Sequence, residues 1–427
     1  MSDDPVRRRV LLCATTTGYQ TRMFDEAAGR LGVDLVLASD RCDRLEDPWR
    51  DRAIPVRFHD RAGALSAVSQ ALGPGRLDGV LAVGDRPAVV AALVAEARGL
   101  PWHSVAGALA GRDKRRFRAA QRAAGLPVPW TVTVEAGDTA PPDDVAYPCV
   151  VKPLVLSGSR GVIRADTPDE LRAALARVAA ILDAADVREL RDDATRQVLL
   201  EGYIDGHEFA VEGLMERGTF HALAVFDKPE PLVGPYFEET IYVTPTARTR
   251  ADGARVVAAV AAAARCAGLW HGPVHAECRV GASGVVVLEA AARPIGGLCA
   301  RALDLDTADG HTFPLEHHLL VHALGGGVPA RRTPGATGVM MVPIPRPGIL
   351  REVTGDDAAR MVPHVTEVVV AAKIGQLLQT LPEGASYLGF IFARGADDAE
   401  VLGALRAAHA HLHVAMAPVL PMRRDEA

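Results

Sequence analysis

The chain has 427 residues, enough for about three domains at roughly 150 residues each. With 49% hydrophobic and 23% charged residues it has the balance of a globular protein, which excludes a disordered chain. The net charge of −6 argues against a general nucleic-acid binder, and aromatics at 5% leave little for base stacking.

The first 110 residues alternate strand and helix patterns. Arg9–Ala14 is a β-type run, followed by a Thr-Thr-Thr-Gly turn. As a signal-peptide core Val10–Ala14 is too short. Thr21–Leu31 has helical spacing that Gly32 ends, and Val33–Ala38 and Asp78–Val83 read as strands. Pro87–Arg98 is a helix with proline in its first turn and Gly99 at its end. Such alternation predicts a parallel sheet with crossover helices, a Rossmann-like half-domain over residues 1–112. No G-x-G-x-x-G follows the first strand, so a dinucleotide site there has no support.

Asp113 is placed to cap a helix with Phe117, Ala120 and Ala124 on one face and Gly125 as its stop. Beyond it the spacing predicts a strand over Ala146–Val151, a helix over Leu171–Leu182, and strands over Gln197–Tyr203 and Glu208–Met215. An Ala-rich helix covers 250–268; its apolar stretch Val256–Leu269 contains Arg265 and falls short of the roughly 20 residues a membrane span needs. Val274–Val280 and Gly284–Glu289 form a hairpin. The Gly/Pro-rich segment from Gly325 to Gly335 reads as a linker, and strands at Val339–Val342, Glu367–Ala371 and Tyr387–Ala393 precede a final helix, Asp398–Leu412. Expected domains are therefore 1–112, 113–325 (split at 205 and 206) and 326–427. Six scattered cysteines with no C-x-x-C pair read as buried thiols of a cytoplasmic protein, with no membrane or nucleic-acid partner.

Four clusters carry candidate chemistry. Lys114 sits in the first turn of a helix, where a cation opposes the helix dipole and a bound anion would justify it; taken alone, it reads better as a surface lysine. Lys152 ends a β-branched run and is followed by the small-residue loop Ser157-Gly158-Ser159-Arg160-Gly161, a pairing of ammonium and backbone amides that suits polyphosphate, or else a flexible hairpin tip. Glu201, Tyr203, Ile204 and Glu208 form an acid–hinge–acid pattern: a hinge backbone can bond an adenine edge and a carboxylate can accept from ribose hydroxyls, unless both acids simply flank a surface turn. Glu277 and Glu289, on neighbouring hairpin strands, can lie on one face. Two converging carboxylates need a cation between them, and Mg²⁺ fits few carboxylates plus phosphate oxygens. Arg293 follows, placed to stabilise developing negative charge; the plainer reading is an exposed hairpin with a structural arginine.

In this order the four clusters resemble the ATP-grasp superfamily over roughly residues 1–325. The segments Val365–Gln379 and Tyr387–Phe392 resemble the small β-rich domain of L-amino-acid ligases, the bacilysin-type dipeptide synthetases and their carnosine-synthase relatives. The resemblance implies an α/β fold, α+β in part, with a Rossmann-like N-terminal domain and a β-rich C-terminal one. It implies that Lys114 and Lys152 hold ATP phosphates under a flap at Ser157–Val162, that Glu201, Tyr203 and Ile204 form the adenine hinge, and that Glu208 meets the ribose. It assigns Mg²⁺ (Mn²⁺ as an alternative) to Glu277 and Glu289, and the tetrahedral intermediate to Arg293 with the amides of Gly296 and Gly297. Phe226-Asp227-Lys228 resembles a segment that brings a lysine to the γ-phosphate or acyl phosphate. Glu239, Tyr242 and His275 fall at substrate positions; Tyr242 stands where a histidine is usual, and Ala291 where many relatives carry asparagine.

The implied reaction joins a small carboxylate to an amine, both expected to be amino acids, through an acyl phosphate with release of ADP and phosphate. Bicarbonate chemistry is disfavoured, because Pro294-Ile295-Gly296-Gly297 replaces the Gln-Val-Glu-His of biotin carboxylases. Remaining alternatives are a ligase acting on a non-amino-acid carboxylate and a nucleotide-binding protein without catalysis; loss of Glu277, Glu289 or Arg293 would mark the latter, and all three are present. A homodimer is the default oligomer.

Overall fold

The computed structural model describes residues 7–15, 20–40, 53–138, 140–329, 331–332 and 334–419. Most of the expected Thr-Thr-Thr-Gly turn, Cys42 and residues 330 and 333 of the expected linker lie outside them. Among the described residues no helix is long and apolar enough to cross a membrane, and Cys13, Cys149, Cys266, Cys278 and Cys299 are free thiols.

The N-terminal segment forms the expected parallel sheet, in the order Ala53–Pro55, Asp34–Ser39, Arg9–Ala14, Gly79–Val83. Helices Thr21–Leu31 and Asp85–Arg98 end at Gly32 and Gly99, which take φ of 64° and 63°, the left-handed region glycine enters without strain. A second, antiparallel sheet orders Thr131–Glu135, Gln197–Gly202, Cys149–Pro153 and Ile163–Ala165. Helix Pro168–Leu182 covers it, capped by Thr167 and opened by proline, and together they enclose a separate core that includes Val151, Leu171, Val178 and Leu200.

The largest sheet has eight strands, in the order Gly284–Ala291, Gly272–Gly281, His207–Glu216, Thr219–Asp227, Ile241–Thr244, Ala336–Val342, Gly389–Gly395, Val365–Val370. It runs across the boundary expected at 325, because strand Ala336–Val342, after the linker, pairs directly with Ile241–Thr244, and Gly389–Gly395 and Val365–Val370 follow from it in turn. Alternation divides those late strands between two cores. Val339, Met341, Phe390 and Phe392 join the core shared with the N-terminal sheet, while Met340, Val342 and Ile391 pack with helix Asp398–His411 through Val401 and Leu405.

Helix Lys114–Ala123 is capped by Asp113 as expected, its Oδ1 accepting from the Arg115 and Arg116 amides at 2.9 and 3.1 Å. Its buried face is Phe117, Arg118 and Gln121; Ala124 is exposed, so the expected face is corrected. What this helix packs against is polar: Arg118 donates to Glu201 and to the carbonyls of Val287 and Leu288.

Sequence reasoning missed helix Leu315–Ala323 (Leu-Glu-His-His-Leu-Leu-Val-His-Ala), because its polar types break an apolar stripe, yet Glu316, His317, His318 and His322 are all buried. Both Glu316 carboxylate oxygens lack a hydrogen-bond partner, and burial raises its pKa to about 7. The unfolded chain ionises near pH 4.5 and the folded one near 7, so this acid opposes folding increasingly across that window and by a constant amount above it. Glu316→Gln is therefore expected to raise the unfolding midpoint at pH 8, by a stability gain on the order of 3 kcal/mol, and to do nearly nothing at pH 4.5. Equal midpoint shifts at the two pH values would refute this.

Candidate functional site

The N-terminal sheet, the antiparallel sheet that contains Cys149–Pro153, the eight-stranded sheet and the Ala385–Phe390 segment meet around a cavity of about 550 Å³. All the residues expected to form the site line it except Gly161 and Lys228.

At one end the two lysines converge. Lys152 on strand Cys149–Pro153 is 2.5 Å from Glu201 Oε1. Glu201, on the next strand, also accepts from Arg118 Nε at 2.9 Å. Burial alone would raise the Glu201 pKa, but Arg118 and Lys152 outweigh it and bring it down to about 2. The Glu201 side chain thus anchors cations, and only its backbone is available to the expected hinge. Lys114 donates from Nζ to the Leu156 carbonyl at 2.9 Å, at the base of the flap. Burial lowers its pKa, and Glu289 opposes that shift.

The flap turns through Gly158, Ser159 and Gly161, all at positive φ. Gly161 faces away from the cavity: its N–H donates to the Pro382 carbonyl at 2.9 Å, and a Cβ there would meet Pro153 Cγ at 2.7 Å. Its glycine is thus a packing requirement rather than a cavity contact.

Tyr203 stacks on Phe237 with ring centroids 6.5 Å apart, and Arg279 lies over both rings. Arg279 also donates to the Ile204 carbonyl at 2.7 Å and to Glu208 Oε2 at 2.8 Å. The Arg279–Glu208 pair follows from register, since the two residues face each other on strands Gly272–Gly281 and His207–Glu216. The same register places His275 opposite Glu212, which accepts from His275 Nδ1 at 3.2 Å and from the Ile295 N–H at 3.1 Å.

Glu277 and Glu289 stand directly opposite across the hairpin and both reach the cavity. The carboxylate oxygens gathered within 4.8 Å, however, belong to Glu208, Glu239 and Glu277. Lys228 holds these three together: its Nζ donates to Glu208 and Glu239 at 2.7 Å and to Glu277 at 2.9 Å. At 3% exposed, Lys228 lies behind the acids rather than facing the cavity, which corrects its expected position. Tyr242 donates to Glu239 Oε2 at 2.6 Å. Burial and the neighbouring Glu277 raise the Glu239 pKa to about 7, while Lys228 and His275 hold Glu277 well below the usual range against its own burial.

Arg293 donates from Nε to Asp85 at 2.7 Å, at the start of helix Asp85–Arg98. The loop after it is suspended from two sides, because Gln20 Nε2 donates to the Ile295 carbonyl at 2.6 Å while Glu212 takes the Ile295 N–H. Gly297 has φ of 60°, and a Cβ on it would come within 3.1 Å of Phe390 Cζ.

Sequence reasoning missed Gln20, Asp85, Arg118, Glu212, Arg279 and the Ala385–Tyr387 segment. Of these, Arg279 and Glu212 were accessible through strand alternation, since His275, Glu277 and Arg279 share one face. The others depend on chain returns with no local signature.

Residues 145–302 match the family described as ATP-grasp domain, residues 25–102 that described as ATP-grasp N-terminal domain, and residues 340–417 L-amino acid ligase C-terminal domain 2. The chain is 26% identical over 295 residues to the uncharacterized protein y4rH of Sinorhizobium fredii, covering 65% of this chain and 56% of that protein. It is 31% identical over 115 residues to a D-alanine–D-alanine ligase of Halorhodospira halophila, covering 26% of this chain and 34% of that enzyme. The match thus spans only about half the length of the first relative and a third of the second. Among solved structures, an L-amino acid ligase from Bacillus licheniformis superposes with a TM-score of 0.81 at 24% identity, over 96% of this chain and 99% of that one. The chain therefore carries ATP-grasp domains followed by a C-terminal domain of the L-amino acid ligase kind, and has the mixed α/β ATP-grasp fold.

Proposed function

We propose that this protein is an ATP-dependent carboxylate–amine ligase that joins amino acids through an acyl phosphate. The observation that carries this reading is the meeting, in one cavity, of Lys114, Lys152 and Arg293 with the facing acids Glu277 and Glu289. Carboxylate attack on a triphosphate brings negative charge against negative charge, and fixed cations in a site shielded from water lower that barrier. The donor set also fits Mg²⁺, which takes oxygen ligands and keeps room for phosphate oxygens. Glu277 and Glu289 would hold the ion, with Glu239 and Glu208 close by. Bound there, it would draw charge from the phosphate oxygens.

In the proposed reaction a carboxylate oxygen attacks the γ-phosphorus and ADP leaves. The amine nitrogen then attacks the acyl carbon, the C–O bond to phosphate breaks, and the amine proton is released. Lys114 and Lys152 neutralise the phosphates; Tyr203, Phe237 and the Ile204 backbone receive the base; and Arg293 with the Gly296 and Gly297 amides meets the charge at the acyl carbon. The flap keeps water from the acyl phosphate. The C-terminal match to amino acid ligases favours amino acids on both sides.

Nucleotide products test this directly. Incubation with Mg·ATP and amino-acid pools is expected to give ADP and phosphate only with particular pairs, whereas AMP and pyrophosphate would overturn the acyl-phosphate route. Glu289→Ala is expected to lower ADP release at least about 100-fold; undiminished turnover would remove Glu289 from the metal site.

A further inference from the structure

Among the described residues, the cations that line the cavity are held by protein acceptors, with one exception. Lys114 is bonded to a carbonyl, Lys152 is paired with Glu201, Arg279 with Glu208, Arg293 with Asp85, and Arg112 with Asp192. His275 is bonded to Glu212. Among the described residues Arg86 has no hydrogen-bond acceptor: its ion-pair partner Asp40 is 3.9 Å away, outside hydrogen-bond range. Its side chain is only 24% exposed. A guanidinium carries five donors, and holding it partly out of water without an acceptor is costly unless a ligand supplies one.

The place of Arg86 limits what that ligand can be. It follows Asp85, whose carboxylate is tied to Arg293 Nε at 2.7 Å. Arg86 and Arg293 both line the cavity, as do Gly84, Pro87 and Gln20. Arg293 and the Gly296–Gly297 loop belong to the acyl group being activated. On that ligase reading, on which this inference rests, we propose that Arg86 binds a second substrate carboxylate, one that is not phosphorylated. Two sources share this chemistry: the α-carboxylate of the amino acid that supplies the amine, and the side-chain carboxylate of an acidic donor. A guanidinium matches either by a bidentate pair of hydrogen bonds, a geometry lysine cannot reproduce.

Equilibrium binding to the full-length protein in the presence of Mg·ADP tests this, with L-alanine, L-alaninamide, L-glutamate and L-glutamine as probes. At least one carboxylate probe is expected to bind the wild type at least tenfold more tightly than its amide partner. Arg86→Gln is expected to weaken that probe about 10- to 100-fold and to leave its amide partner unchanged, with Arg86→Lys intermediate. Preference for alanine over alaninamide assigns the α-carboxylate, and preference for glutamate over glutamine the side chain. Equal binding of acid and amide by the wild type, absence of binding by every probe, or equal binding of the acid by wild type and Arg86→Gln would each overturn the proposal. The first comparison needs no variant, so a folding defect cannot imitate it. Carboxylate-selective binding without ADP release in any pool would leave the Arg86 site standing and overturn the ligase reading instead.

Discussion

Replacing Arg293 with methionine is expected to lower the rate of ADP release by about a thousandfold while leaving the fold intact. The side chain is 11% exposed, and Asp85 and Glu289 keep it charged against its burial. Its Nε is fixed to Asp85, and Nη1 reaches the Pro294 carbonyl at 3.1 Å, so the guanidinium is aimed before substrate arrives. A donor fixed in advance loses nothing to reorganisation as charge develops, which is why removing one typically costs two to three decades of rate. Arg293→Lys should recover only part of that rate, because an ammonium cannot hold Asp85 and an acyl oxygen in one planar fork. Asp85→Asn, which keeps the arginine but loosens its aim, should lie between the two. ADP release at saturating substrates, read beside the unfolding midpoint, separates lost chemistry from lost structure. A rate within tenfold of wild type in the methionine variant would remove Arg293 from the reaction.

Sequence patterns revealed the parts of this molecule whose causes are local. Gly32 and Gly99 mark helix ends because left-handed backbone favours glycine, and Asp113 marks a helix start because its carboxylate caps two amides. The order of Lys114, Lys152, Glu201, Glu277 and Arg293 was legible because the first three lie at helix or strand ends, Glu277 on a hairpin strand and Arg293 in the loop just after the hairpin, and all line one cavity. Strand Thr219–Asp227 escaped because its alternation is imperfect, with a register shift between Ala222 and Ala224. Helix Leu315–Ala323 escaped because residue type is a poor guide where a helix is buried on every side. Arg118 looked like one cation of a basic helix, yet it is 2% exposed and bonded to Glu201, 83 residues along the chain. Pairings of that kind are set by how sheets stack, and no spacing in the sequence encodes them.

Lys228 gives the second large effect, this time on stability. Its ammonium is the shared partner of Glu208, Glu239 and Glu277, in surroundings where its own side chain is 3% and that of Glu208 7% exposed. Lys228→Met would leave three converging carboxylates without that cation. Removing one member of a buried ionic cluster typically costs about 3–5 kcal/mol, because the remaining charges stay desolvated and unpaired. The loss should depend on pH in a definite direction. Glu239 already titrates near 7 with Lys228 present, far above its unfolded value of 4.5. Without the lysine its folded pKa moves higher still, so the penalty is greatest above pH 7 and shrinks as acid protonates the cluster. A divalent cation should oppose the same penalty, since the three oxygens lie within 4.8 Å of one another and Mg²⁺ accepts such ligands. Binding to the folded state alone then stabilises in proportion to the logarithm of ion concentration. Thermal unfolding of both proteins at pH 6 and 8.5, with and without millimolar Mg²⁺ and without nucleotide, reads all three effects. The variant should unfold well below wild type at pH 8.5, approach it at pH 6, and gain more from Mg²⁺ than wild type does. A midpoint insensitive to the substitution would mean that the carboxylates do not need Lys228, and that the cluster is neutralised by its own protons instead.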